Sequence, residues 1–255
     1  MPNGELILGG NTSEGGGAED ESFVKGLDQS YFKGVYWSNN YNITDGVAVS
    51  ESEFVVPVLN NWFMYKIVNG TFEKVGEYTY TSKELRCIQV EAANDGWVIG
   101  LWRIGKSLYL GAWNTKSEET LSVQITDELY DYMDDFDQVR LSVDVSKGLA
   151  VATYQETTDG SSMTKNVKNM IATFDLNKMV NANSIEVKWK KQLKTQQSYE
   201  IQDAVIDSDG NVYALLEFSS NKNHLVLGKY NPEGELITST VWEYLNPKLL
   251  SLIHI

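Results

Sequence analysis

The chain has 255 residues, 42% of them hydrophobic and 11% aromatic, which is enough to bury the core of one large all-β domain or two small ones. Its 35 acidic and 21 basic residues leave a formal charge of −14 that repels phosphate backbones and anionic membranes, and no basic patch offsets it, so nucleic-acid binding is excluded. The single cysteine, Cys87, excludes a disulfide framework and a cysteine-built zinc cage, and no run reaches the ~18 apolar residues of a membrane span.

The N-terminus opens on a Pro2-Asn3-Gly4 turn and runs directly into a strand, ELILGG, with no basic-then-apolar order of a signal peptide. That is how a chain entered partway through a repeat would begin. The following GGNTSEGGGAEDES is Gly-rich and acidic, lacks the Gly-Lys-Ser/Thr ending of a phosphate loop, and reads as a flexible loop before an outer strand at VYWSNNY.

Residues 1 to about 41 read as parts of an earlier repeat, and after them one order of signals recurs four times: strand, tight turn, second strand, loop, third strand ending in an aromatic, turn, fourth strand. The first turns are SESE around Glu51, NDG at Asn94 to Gly96, SKG at Ser146 to Gly148, and DSDGN at Asp207 to Asn211. The second strands, FVVPVL, WVIGLW, LAVATY and VYALLEF, are too continuously apolar for a strand with one wet face. The third strands are FMYKI, LYLGAW, MIATFDL and LVLGKY, and the fourth are FEKVGEY, LSVQI, IEVKWKKQ and LITSTVW. The turns between them, at Asn69-Gly70, Thr115 to Glu118, Asn177-Lys178 and Asn231 to Gly234, carry the residues that tight turns require. Between the second and third repeats, TDELYDYMDDFD spaces Leu129, Tyr132, Met133 and Phe136 as a short amphipathic helix capped by Thr126.

These segments resemble the repeats of β-propellers of the NHL, quinoprotein-like and TolB-like kinds. A D-x-D-G-N hairpin, here Asp207 to Asn211, and a turn such as Tyr-Asn-Pro-Glu-Gly-Glu-Leu, here Tyr230 to Leu236, are common in those repeats. The resemblance implies an all-β propeller of four-stranded antiparallel blades, about five of them visible, over residues 1–249, as part of an incomplete reading frame. Residues 250–255, LSLIHI, resemble one translated frame of a transposon end and are read as a non-native tail. A pair of β-sandwiches is the main rival, but it would lack the repeated register of turn and aromatic.

Few residues point to catalysis. His224 is the single histidine outside that tail, and no serine sits in an elbow motif, so nucleophilic hydrolysis has one candidate base and no nucleophile. Asp207, Asp209 and Asn211 begin like a calcium loop, but Gly210 falls too early and Phe218 stands where a bidentate glutamate is needed, which leaves a hairpin turn. A sialidase box is not matched either: SVDVSKG, at Ser142 to Gly148, places its glycine two positions late. The seven tryptophans sit mostly at recurring strand positions and read as core.

The chain has three arginines, Arg86, Arg103 and Arg140. In propellers the face lined by the loops between blades and between second and third strands usually carries the ligand. The repeat register sends all three arginines to that face, with Glu200, Gln202, Lys106, Asn60 and Asn61 nearby and His224 opening a third strand. Guanidinium groups gathered on an acidic protein would form a pocket for carboxylate or phosphate.

The expected protein is therefore a non-catalytic propeller module with no cofactor and no metal. Its partner would be a protein, peptide, glycan or small anionic ligand, and neither nucleic acid nor membrane insertion is expected. The alternatives are a fragment of a propeller enzyme, either a carbohydrate-active hydrolase or lyase or a quinoprotein-like oxidoreductase, and a structural part of a longer surface protein.

Overall fold

The computed structural model describes residues 7–12, 21–28, 31–37, 46–58, 60–69, 71–79, 85–127, 129, 139–157, 167–182, 184–193, 199–218 and 224–243. They form two compact units, Met1–Gln124 and Ile125–Ile255, and the division falls within the last strand of the third sheet.

The first unit opens with a three-stranded sheet of β1 (Ile7–Thr12), β2 (Glu21–Asp28) and β3 (Tyr31–Trp37). Two four-stranded sheets follow. The first is built of β4 (Val47–Ala48), β5 (Glu53–Val58), β6 (Asn61–Val68) and β7 (Thr71–Thr79). The second is built of β8 (Leu85–Ala92), β9 (Trp97–Ile104), β10 (Ser107–Asn114) and β11 (Thr120–Thr126).

The second unit holds two more such sheets. One comprises β12 (Arg140–Asp144), β13 (Leu149–Thr157), β14 (Val167–Asp175) and β15 (Glu186–Gln192), with a short helix, α1 (Leu176–Ala182), before its last strand. The other comprises β16 (Tyr199–Ile206), β17 (Val212–Phe218), β18 (His224–Tyr230) and β19 (Leu236–Glu243). Every sheet is an antiparallel meander whose spatial order is its sequence order. The four repeated strand sets read from the sequence are these four sheets.

Burial follows the apolar pattern. β9 is buried over Trp97 to Trp102 and β13 over its whole length, as strands covered on both faces must be. In the first unit Val55, Trp62 and Met64 pack against Cys87, Val98 and Trp102, joining the sheets β4–β7 and β8–β11. Cys87 is one of these buried residues, and its Sγ accepts a hydrogen bond from Trp62 Nε1 at 3.4 Å. In the second unit Val151 and Ile171 pack against Ile201, Ala204, Val212 and Leu216. The turn chemistry also appears as expected: Asn69 has φ 51° and Gly148 φ 60°, the left-handed region that asparagine and glycine tolerate best.

Three segments differ from the sequence reading. The Gly-rich loop is shorter than expected, because β1 takes Gly9 to Thr12 and β2 begins at Glu21; residues 13–20 lie outside the described residues. β2 itself was not anticipated, since Lys25 and Gly26 interrupt its apolar pattern, and pairing to β1 and β3 on both sides supplies what propensity does not. The Asn177-Lys178 turn is instead α1, anchored by Leu176 and Met179, which are both buried at helical spacing. The helix expected over Thr126 to Asp137 lies mostly outside the described residues; Thr126 belongs to β11, and Leu129 makes an extended bridge to Glu156.

Candidate functional site

Each sheet has one end where its first strand starts, its second ends and its third starts. The residues singled out from sequence all fall at that end of their own sheets. In the first unit Asn60 lies in the turn between β5 and β6 and Asn61 begins β6, opposite Val58 and Thr79; both are half-buried. Arg86, Arg103 and Lys106 occupy the corresponding end of the next sheet. There Arg86 of β8 is directly opposite Arg103 of β9, and Lys106 is exposed in the turn that follows. Arg103 is half-buried and its Nε donates to the Gly105 carbonyl at 2.7 Å.

A β-bulge adjoins this pair. The β8–β9 register shifts between Cys87 and Gln89, so that Ile88 has no partner across the strand. In the second unit the β16–β17 register shifts in the same way between Ile201 and Asp203, and Gln202 is the extra residue. Bulges bend a strand and re-aim the side chains beside them. The two pairs that precede the bulges differ in sign: Arg86 faces Arg103 in one sheet, and Glu200 faces Glu217 in the other. Counting from the residues that close the first turns, Trp97, Leu149 and Asn211, the equivalent positions are Arg103, Gln155 and Glu217.

Arg140 begins β12 opposite Thr153, two pairs deeper in its ladder than Arg86 is in its own, and its Nη1 donates to the Val139 carbonyl at 3.1 Å. His224 begins β18 opposite Glu243. The sequence reading missed the polar end of β13, where Gln155, Glu156 and Thr157 continue the strand and are buried. Gln155 Nε2 donates to Asn169 Oδ1 at 2.7 Å. Lys190 Nζ donates to Glu156 Oε1 at 2.6 Å and to the Ile125 carbonyl at 3.2 Å, and it sits 5.6 Å from the centre of the Tyr154 ring. Burial, reinforced by the Glu156 carboxylate, pushes the Tyr154 hydroxyl far above the usual tyrosine range, so it stays protonated.

Two carboxylates of the first turns, Asp144 and Asp207, accept from the backbone of their own turns. Asp144 Oδ1 accepts from Ser146 N and Oγ and from Lys147 N, and the Ser146 hydroxyl leads in holding its carboxyl below the usual range. Asp207 Oδ1 accepts from Asp209 N and Asn211 N, both at 2.9 Å, so the DSDGN segment is a hairpin turn. Among the described residues no group of three or more His, Cys, Asp or Glu side chains is placed to hold a metal ion. No helix of the described residues is long and apolar enough to cross a membrane.

No protein-family model matches the chain, and no curated protein matches it in sequence. Solved structures do. The Dos1 propeller superposes with a TM-score of 0.58 at 11% identity, over 91% of this chain and 57% of that one. An apocarotenoid oxygenase from Synechocystis gives 0.51 at 8% identity, over 95% of this chain and 59% of the other. A virginiamycin B lyase from Staphylococcus aureus, solved with quinupristin, gives 0.50 at 12% identity, over 95% and 74%. The chain thus spans a little over half the length of two of these structures. At such identities the likeness is one of fold, and it joins the repeated four-stranded meanders in one conclusion: the chain has an all-β, β-propeller-type fold built of four-stranded antiparallel blades.

Proposed function

We propose that the chain is a non-catalytic propeller binding module that takes a carboxylate- or phosphate-bearing ligand where β8, β9 and β10 meet. The observation that supports this reading is the placement of Arg86 directly opposite Arg103, with Lys106 in the adjoining turn. Like charges opposite one another weaken a sheet by ~0.2–1 kcal/mol. An anion between two guanidinium forks removes that penalty and accepts paired, charge-assisted hydrogen bonds from both. The remainder of the chain is acidic, so an anion has few competing sites. Asn60 and Asn61, at the same end of the neighbouring sheet, offer neutral donors and acceptors. In the second unit Gln202 and His224 share a sheet end with Glu200 and Glu217, whose charges disfavour an anion there, while Arg140 begins the other sheet opposite an uncharged threonine.

Propeller folds carry enzymes and binders alike, and two of the structures matched above are enzymes. The binding reading is preferred because the paired cations suit a charged ligand without requiring a nucleophile or a general base. The test is calorimetric titration of inorganic phosphate and of citrate into the full chain at low salt, beside Arg86→Gln, Arg103→Gln and Lys106→Gln. Either arginine change should weaken binding at least tenfold, a loss of about 1.4 kcal/mol, and added salt should weaken it further. Unchanged affinity in all three variants, or no binding of either anion, overturns the reading.

A further inference from the structure

The outer strand β19 differs from the other outer strands whose side chains are described. β7 carries Glu73, Lys74 and Glu77, and β15 carries Lys188, Lys190 and Lys191, charges that make edge-to-edge pairing costly. β11 is uncharged, but Ile125 is buried and Leu121 and Val123 are half-buried, leaving Thr120, Ser122 and Gln124 as its exposed residues. β19 has neither protection. Leu236, Ile237 and Val241 are 56%, 53% and 60% exposed, and no charge, proline or glycine occurs between Leu236 and Trp242. The strand pairs with β18 on one side, and no described strand pairs with the other. Its start is firmly held: Lys191 Nζ donates to the Gly234 carbonyl and Trp189 Nε1 to that of Pro232.

We infer that β19 is a self-association edge, and that its occupant is β19 of a second copy running antiparallel about a two-fold axis. The strand's own residues favour a second copy over an unrelated strand. The charge of −14 opposes contact between copies over most of their surface, and the seven uncharged residues Leu236 to Trp242 are a stretch where that opposition is weakest. The strand is also self-complementary when all eight residues overlap. Ser239 then faces Thr240, Thr238 faces Val241, Ile237 faces Trp242 and Leu236 faces Glu243, so hydroxyls meet at the two-fold, Ile237 meets Trp242, and no two like charges are opposed. An isologous pairing of this kind closes at two copies rather than growing into a fibre.

Sedimentation of the full chain across a hundredfold concentration range should show a monomer–dimer equilibrium. Thr240→Pro or Ser239→Lys should move the midpoint at least tenfold toward monomer, whereas Val75→Lys on β7 should leave it unchanged. Because a change in β19 can also unfold its sheet, a second measurement fixes the register: chains carrying Ser239→Cys mixed with chains carrying Thr240→Cys should cross-link to each other faster than either does to itself. A monomer at every concentration overturns the inference. So does a dimer that survives both β19 substitutions in folded protein, or one whose cysteines show no mutual preference.

Discussion

The indole of Trp62 stacks on that of Trp102, with ring centroids 4.8 Å apart and planes 26° apart, although the two belong to different sheets of the first unit. Both are completely buried. Gly100, beside Trp102 on β9, is what admits the indole: a Cβ there would lie 2.6 Å from Trp62 Cζ2 and 3.1 Å from the Gln89 carbonyl oxygen. Removing the ring should cost ~3–5 kcal/mol, the usual penalty for an aromatic deleted from a core. Gly100→Ala should cost ~1–3 kcal/mol by overpacking. Urea unfolding should show both losses, and Gly100→Ala should cost less in a Trp62→Phe background, where a smaller ring leaves room. If Gly100→Ala is neutral in the native background, the two sheets are not held by this contact.

Thr153 and Thr173 give the opposite expectation. Both are buried on the face of β13 and β14 that packs toward β16 and β17, Thr173 opposite Val151 and Thr153 opposite Ile171. Neither hydroxyl has a hydrogen-bond partner among the described residues. A buried hydroxyl without a partner costs roughly 1–3 kcal/mol, and valine has nearly the same shape. Thr153→Val and Thr173→Val should therefore each raise stability by about 1 kcal/mol, measured by thermal or urea unfolding. A loss of stability in either variant would mean that the hydroxyl holds a bond in solution.

Much of the architecture was legible because the chain marks its corners with residues whose backbone preferences are strong. Asn69, Gly148 and the DSDGN turn each fix a hairpin, and continuous apolar runs such as WVIGLW can be satisfied only by cover on both faces. The polar end of β13 was not legible. Gln155, Glu156 and Thr157 look like the start of a loop, and what keeps them in the strand is a lysine 34 residues away that reaches Glu156 from β15. The bulges at Ile88 and Gln202 were hidden for a similar reason, since a strand gains an extra residue only in relation to its partner. The nine candidate positions could be assigned to a sheet end by counting from turns. The opposition of Arg86 to Arg103 required the ladder itself, because the bulge shifts the count by one.

The Asp207 turn should make part of the stability depend on pH. Its Oδ1 accepts from Asp209 N and Asn211 N at 2.9 Å and from Asn211 Nδ2 at 3.1 Å, while Lys229 Nζ lies 3.5 Å from Oδ2. Burial is the largest single influence and acts to raise the pKa, but the bonds from Asn211, Asp209 and Tyr213 together outweigh it and hold the carboxyl well below its usual range. A carboxyl depressed in the folded state contributes stability that is fully present above its unfolded value of about 4. That contribution disappears as the pH falls through the lower folded value. Asp207→Ala should therefore cost ~1–3 kcal/mol at neutral pH, the range for removing the acceptor of several backbone donors. The gap from the native chain should narrow steadily below about pH 4. Asp144, depressed in the same direction by Ser146 and Lys147, should add to the native chain's acid sensitivity. Urea midpoints for both proteins at neutral and acid pH give the comparison; a gap of constant size would show that the charge on Asp207 contributes nothing and that the turn is held by its backbone geometry.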